Sequence, residues 1–129
     1  MNIENRVALV TGSSSGIGQA TAIEFAKKGA KVVVNYHQNK AGGEKTLVRV
    51  REQGVEGILV RANVAKERDL ARLFGTVVDR FGTLDILVNN VGVPYDGSFL
   101  EMTQQDMRRV IDTNFTTVAL GALYAIRFM

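Results

Sequence analysis

Val7-Ala-Leu-Val-Thr-Gly-Ser-Ser-Ser-Gly-Ile-Gly18 joins a short apolar run to a glycine-rich turn that leads straight into helical spacing. Val7 to Val10 is too short for a helix, is β-branched at both ends and is closed by Thr11 and Gly12, which is the pattern of a buried parallel strand. From Ile17 the apolar positions recur at helical steps through Ala20, Ile23, Phe25 and Ala26. Gly12, Gly16 and Gly18 therefore fall where a chain must turn sharply, expose backbone N–H groups and pack a helix closely on a strand. Unpaired N–H groups with the positive end of a helix dipole behind them form a site for a pyrophosphate. Ser13, Ser14 and Ser15 can add hydroxyl donors to the same oxygens. A small-residue turn without a ligand is the competing reading, and the position between a strand and a helix weighs against it.

Outward from this stretch the same rhythm repeats. The first helix is expected from about Gly18 to Lys28, with Gly29 just past it, and Lys31 to Val34 forms a second strand. A weaker helix follows from about Gly43 to Gln53, stopped by Gly54, then a strand over Gly57 to Val60. Leu70, Leu73, Phe74, Val77, Val78 and Phe81 recur at three- and four-residue steps and define a core-facing helix that ends at Gly82. Leu84 to Val88 is the fourth strand. After a loop with Pro94 and Tyr95-Asp-Gly97, Thr103-Gln-Gln-Asp106 resembles a capped helix start, and one final helix is expected to run to the end. Strands alternating with helices imply βαβ units in an α/β, doubly wound parallel sheet with three α/β/α layers, cut off after about four βα units. The ligand crevice of such a sheet lies at the strand C-termini, here Thr11, Asn35, Asn63 and Asn89.

Composition narrows the function classes. The chain has 129 residues, 46% of them hydrophobic, enough for one domain with a real core. It has no cysteine and one histidine, His37, which removes disulfides, thiolate nucleophiles and ordinary zinc or iron sites. A net charge of +3 is spread over helices beside acidic residues, as in Lys66-Glu-Arg-Asp69, so no nucleic-acid partner is expected. No apolar run approaches membrane-spanning length and Met1-Asn-Ile-Glu-Asn5 lacks the pattern of an export signal, so no membrane partner is expected and the cytoplasm is the expected location.

The common G-x-G-x-x-G fingerprint does not fit, because Gly18-Gln-Ala is followed by Thr21. What stands from Thr11 to Gly18 is T-G-x-x-x-G-I-G, which resembles the short-chain dehydrogenase/reductase family, whose nucleotide fold is the Rossmann-type doubly wound sheet. The resemblance implies a cofactor site at Gly12, Ser14, Ser15, Gly16, Ile17 and Gly18. At the end of strand two, where a carboxylate would accept from an adenosine ribose 2′-OH, stand Asn35 and Tyr36, so nothing opposes a 2′-phosphate. NADP is the expected cofactor. NAD remains open, because Ser15 stands where relatives preferring NADP often carry a basic residue.

Further matches follow in family order. Asn63-Val64 resembles the stretch that receives the adenine, though Asn63 serves equally as a turn residue before a helix. Asn89-Asn-Val-Gly92 resembles N-N-A-G, which implies that Asn90 steadies the sheet and Gly92 lets the backbone approach the cofactor ribose. Val91 in place of alanine implies a shifted loop or a tighter pocket. Asn114, inside the apolar stripe of Met107, Val110, Ile111, Val118 and Ala122, resembles the catalytic asparagine that holds a water in a proton relay. A helix-bending or interface asparagine is the alternative.

Tyr36 and Lys40 have the spacing of the family's catalytic pair but follow strand two in an expected loop, so they are not assigned that role. In the family a serine and the Tyr/Lys pair come after the helix on which this sequence stops. The resemblance, closest to the glucose dehydrogenases and the 3-oxoacyl-carrier-protein reductases, therefore implies the NAD(P)-binding half of an oxidoreductase acting on a small alcohol or carbonyl substrate, inactive as it stands. A non-catalytic NADP(H)-binding module or redox sensor is the alternative. In the parent a homo-oligomer, tetramer or dimer, is implied. Met129 reads as a fragment end that would leave the fourth strand at an edge and the last helix's stripe uncovered.

Overall fold

The computed structural model describes residues 2–129. Four strands, β1 (Val7–Val10), β2 (Lys31–Tyr36), β3 (Gly57–Arg61) and β4 (Ile86–Val88), form one sheet in the order β3-β2-β1-β4. Every pairing is parallel, with Leu9 opposite Val33 on one side and Leu87 on the other. Helices α1 (Gly16–Lys27), α2 (Lys40–Arg51) and α3 (Glu67–Phe81) make the crossovers. The order in which strands are added reverses at β1, because β2 and β3 extend the sheet one way and β4 is laid on the other side. The switch point thus lies between the C-terminal ends of β1 and β4.

Both sheet faces are covered, which is why the strands read as unbroken apolar runs. Val7, Leu9 and Val33 point to one face and pack with Leu70, Leu73, Phe74 and Val77 of α3. Val10, Val32 and Val34 point to the other, against Ala22 and Ala26 of α1 and Val50 of α2. The spacing that predicts α3 is realised, and its end at Gly82 is as expected.

Other boundaries differ, each for a reason. Helix α1 starts at Gly16, two residues before the expected Gly18, so both glycines belong to its first turn. Helix α2 starts at Lys40 rather than Gly43, capped by Asn39, whose Oδ1 accepts from the Gly42 N–H at 3.0 Å. Gly43 sits inside this helix because a Cβ there would come within 2.9 Å of Leu59 on β3. Tyr36 is consequently the last residue of a strand and Lys40 the first of a helix. They do not share a helix face, and the intervening loop is only three residues long, from His37 to Asn39. β4 starts at Ile86 because Asp85 turns its carboxylate back to β1, accepting from Val7 N–H at 2.8 Å and from Arg6 at 3.0 Å.

The single final helix is corrected to three pieces after a 3-10 turn at Phe99–Glu101. These are α4 (Gln104–Ile111), a π-helical turn (Asp112–Thr116) and α5 (Thr117–Ile126). α4 opens with the expected capping box, Thr103 and Asp106 each bonding the other's backbone N–H. At the π turn the Thr117 hydroxyl donates to the Thr113 carbonyl at 2.6 Å, side-chain competition of the kind that widens a helix. No residue of α4 is buried, and Met107 and Ile111 are exposed.

Candidate functional site: the crevice at the glycine loop

The loop after β1 is held by side-chain bonds that reach β1, β2 and β4. Thr11 Oγ1 donates to the Val88 carbonyl and accepts from Asn90 N–H at 3.0 Å. Asn90 Nδ2 in turn donates to the carbonyls of Thr11 and Gly12, at 3.0 and 3.1 Å. Asn90 thus clasps β1 to the segment after β4. Gly18 lies so close beneath that a Cβ would stand 2.5 Å from both Gly12 O and Asn90 Nδ2, so the first turn of α1 can pack here only without a side chain.

Ser13 turns inward. It is fully buried, its hydroxyl donating to Val10 O at 2.7 Å and accepting from Asn35 N–H at 3.0 Å. The expectation that it faces a phosphate is therefore corrected: its hydroxyl is engaged in holding β1 to β2. Asn35 is likewise buried. Its Oδ1 accepts from Gly12 N–H at 3.0 Å and its Nδ2 donates to the carbonyls of Val60 and Ala62, each at 3.2 Å. Its amide is thus committed to backbone partners, while the residue still borders the cavity beside Gly12. Tyr36 is also buried in the sheet.

What remains open at the loop is Ser14, half-buried, Ser15, exposed, and the start of α1. Ser15 is the N-cap residue, yet its side chain caps nothing, so its hydroxyl is free to meet a ligand. The first helical bond is donated by Gln19 to Ser15 O, which leaves the N–H groups of Gly16, Ile17 and Gly18 ahead of it. Gly12 and Gly16 have φ of +62° and +55°, and a Cβ built on Gly16 would meet nothing within 4 Å. The cradle is thus empty of protein atoms where an anion would sit.

Two cavities flank Gly12. One, of about 330 Å³, is lined by Ser14, Ser15, Asn39, Asn90 and Gly92. The other, of about 270 Å³, is lined by Asn63, Val64, Ala65, Val93 and Thr113. Gly12, Val91 and His37 line both. Asn63 makes the turn before α3: its Oδ1 accepts from Ala65 N–H at 3.1 Å and its own N–H donates to Asp69 at 2.8 Å. That bond from Asn63, followed by the Arg72 guanidinium, holds the Asp69 carboxyl below the usual range. Val64 is buried under the second cavity among the core residues.

Asn114 sits at the centre of the π turn and grips Val93 with both ends of its amide. Oδ1 accepts from Val93 N–H at 2.7 Å and Nδ2 donates to Val93 O at 2.8 Å. It is exposed rather than buried, which corrects the expectation of a buried amide; its stripe neighbours Met107, Ile111 and Val118 are exposed as well. Gly92 faces it, where a Cβ would lie 3.2 Å from Asn114 Oδ1. His37, which follows Asn35 and Tyr36 at the end of β2, is exposed and lines both cavities.

These elements appear in other proteins in the same order. The sequence profile described as short chain dehydrogenase matches residues 6–129. The chain belongs to the short-chain dehydrogenase family. Among its relatives, glucose 1-dehydrogenase 2 of Bacillus subtilis is 41% identical over 129 residues, 99% of this chain and 50% of that protein. A 3-oxoacyl-[acyl-carrier-protein] reductase of Synechocystis is 44% identical over 115 residues, 89% of this chain and 47% of that one. A short chain dehydrogenase of Burkholderia cenocepacia, solved in complex with NADP, superposes with a TM-score of 0.94 at 30% identity, over 100% of this chain and 53% of that one. This short-chain dehydrogenase chain spans about half the length of the curated relatives it matches. Among its described residues no helix is long and apolar enough to cross a membrane, and no group of three His, Cys, Asp or Glu could hold a metal.

Proposed function

We propose that this chain is the dinucleotide-binding part of an NAD(P)-dependent oxidoreductase that interconverts an alcohol and a carbonyl. The observation that carries the reading is the open cradle at the switch point. There the positive-φ glycines, the uncapped Ser15 hydroxyl and the first-turn N–H groups of α1 converge between two cavities. In this reading Gly12, Ser14, Ser15, Gly16, Ile17 and Gly18 hold the pyrophosphate. Asn63 and Val64 border the adenine, and Asn90 and Gly92 the ribose on the other side. Asn114 fixes the Val93 backbone at the mouth. The bound nicotinamide supplies hydride transfer.

Domain extent and activity belong to the same proposal: residues 1–129 form the cofactor half, and turnover needs groups this sequence lacks. The only Tyr-x-x-x-Lys in the chain is Tyr36 to Lys40, split between a buried strand end and a helix start. Assembly of the parent protein is supported by the uncovered apolar residues of α4, the π turn and α5, among them Ile111, Phe115 and Leu123.

Titration of the purified chain with NADPH, followed by fluorescence, tests the reading. Binding that is lost in Gly16→Val, with the fold intact by circular dichroism, is expected; affinity unchanged by that substitution sinks the phosphate site. No consumption of NADPH with carbonyl substrates is expected, and turnover by the pure chain would refute the inactive half.

A further inference from the structure

The first turn of α2 is weak by composition and held from outside. Gly42 and Gly43 both disfavour helix relative to alanine, so the place of this turn is decided by its ties. Asn39 caps it from the front. Thr46, fully buried, holds it from behind: its hydroxyl donates to the Gly42 carbonyl at 2.9 Å, one turn back along the helix. The same oxygen accepts from Gln19 Nε2 of α1 at 2.7 Å. One hydroxyl, as donor and as acceptor, thus joins the two helices.

Both partners of Thr46 reach the glycine loop. The backbone N–H of Gln19 donates to the Ser15 carbonyl at 3.1 Å. Gly42 lies directly on the Ser14 carbonyl oxygen, which a Cβ at Gly42 would overlap. Ser14, Ser15, Gln19, Thr46 and Gly42 therefore close a ring of contacts that runs from the loop through both helices and back. In a trans peptide the N–H points opposite to the carbonyl. With the Ser14 carbonyl turned onto α2, the Ser15 N–H of the same peptide is turned off it.

We propose that Thr46 is a positioning residue for the phosphate cradle: through Gly42 on one side and Gln19 on the other, it fixes the orientation of the Ser14–Ser15 peptide. The inference deepens the dinucleotide reading above and rests on it. Thr46 lines neither cavity beside the loop, whereas Ser14 and Ser15 line one of them, so it acts through its neighbours and not on the ligand. A valine in its place keeps the shape but leaves the Gly42 carbonyl and the Gln19 amide without this partner. The pyrophosphate is common to NADPH and NADH, so a change in the cradle alters both affinities alike.

The experiment measures NADPH and NADH affinity by fluorescence for the chain as it stands and for Thr46→Val, Thr46→Ser and Gln19→Met, each checked for folding by circular dichroism. The Ser15 amide is followed by NMR without ligand. The expected result in Thr46→Val is a loss of about fivefold for both dinucleotides, the scale of one lost hydrogen bond, with their ratio unchanged and the Ser15 resonance shifted. Thr46→Ser, which keeps the hydroxyl, restores affinity and resonance. Gln19→Met leaves the bond from Thr46 to Gly42 in place and gives a smaller loss; added to Thr46→Val it costs less than it does alone, because the two share one bond. Should Thr46→Val not fold, Gln19→Met, at a half-buried side chain, carries the same test. Unchanged affinity in the folded variants, which is what a role confined to stability gives, overturns the proposal while leaving dinucleotide binding intact. So does a loss that Thr46→Ser does not restore, or a ratio of NADPH to NADH affinity that moves. Failure of the unsubstituted chain to bind either dinucleotide overturns the dinucleotide reading and this inference together.

Discussion

The two ends of the crevice are built in opposite ways. On the β1 side, Ser13, Asn35 and Thr11 are buried polar residues whose bonds tie the glycine loop to β1, β2 and β4. On the α4–α5 side, Asn114 holds Val93 from an exposed π turn, on an arm whose large apolar residues face outward. One end is a rigid product of the sheet; the other is an arm with little packing of its own beyond α3 and β4. The difference teaches that the phosphate cradle depends on interior packing, whereas the Asn114 grip depends on a local backbone irregularity. π turns of this kind recur at functional sites.

The comparison breaks first at the core. Phe74 is fully buried between α3 and the sheet and stacks on Tyr124 of α5 at a ring separation of 5.6 Å, so it ties the arm to the body, where Leu120 and Phe128 also pack. Phe74→Ala should lower unfolding free energy by about 3–5 kcal/mol, read by urea denaturation. A loss below about 1 kcal/mol would mean that α3 is not seated as described. Asn35→Ala comes next, at about 1–3 kcal/mol, since it orphans Gly12 N–H and two strand-end carbonyls. Dinucleotide affinity should fall with it, because the loop loses its support.

A smaller effect is expected from pH at the arm. The Thr103 hydroxyl and backbone bonds hold the Asp106 carboxyl below its ordinary value. A depressed carboxyl contributes stability above the unfolded-state value and loses it as pH falls through the folded one. Protection of the amides at the start of α4, relative to their intrinsic exchange rate, should therefore fall upon acidification below about pH 4, and Asp106→Asn should remove that response. The smallest effect sharpens the contrast: Phe115→Ser, at a side chain 70% exposed, should change stability of the isolated chain by no more than about 0.5 kcal/mol while reducing self-association in sedimentation.

Much of this architecture was legible from local pattern. The β1 strand and the α3 stripe follow from apolar spacing, and the Thr103–Asp106 box from residue type. These features are decided by neighbours in sequence. The start of α2 was not legible, because Gly42 and Gly43 resemble a loop until Leu59 on β3 is known to press against Gly43. The inward turns of Ser13 and Asn35 were hidden for the same reason, their partners lying 22 to 27 residues away. At the π turn Asn114 reaches Val93 across 21 residues, a bond no periodicity reveals. At the candidate site, family order pointed to the glycine loop, but only three-dimensional placement shows His37 exposed beside the crevice and the Asn35 amide committed to backbone bonds.

The Thr11–Asn90 clasp joins residues 79 positions apart, and every strand pair in the sheet needs a helical crossover before it can form. Closing so long a segment carries an entropic cost that must be met before the contact gives anything back. The cradle is thus expected to be one of the last parts of the chain to assemble. A chain arrested partway would already hold β1, α1 and β2 yet lack the asparagine that locks the loop. The ability to take up a dinucleotide then serves as a readout of completed folding, and refolding followed by NADPH fluorescence should lag behind the recovery of helical circular dichroism.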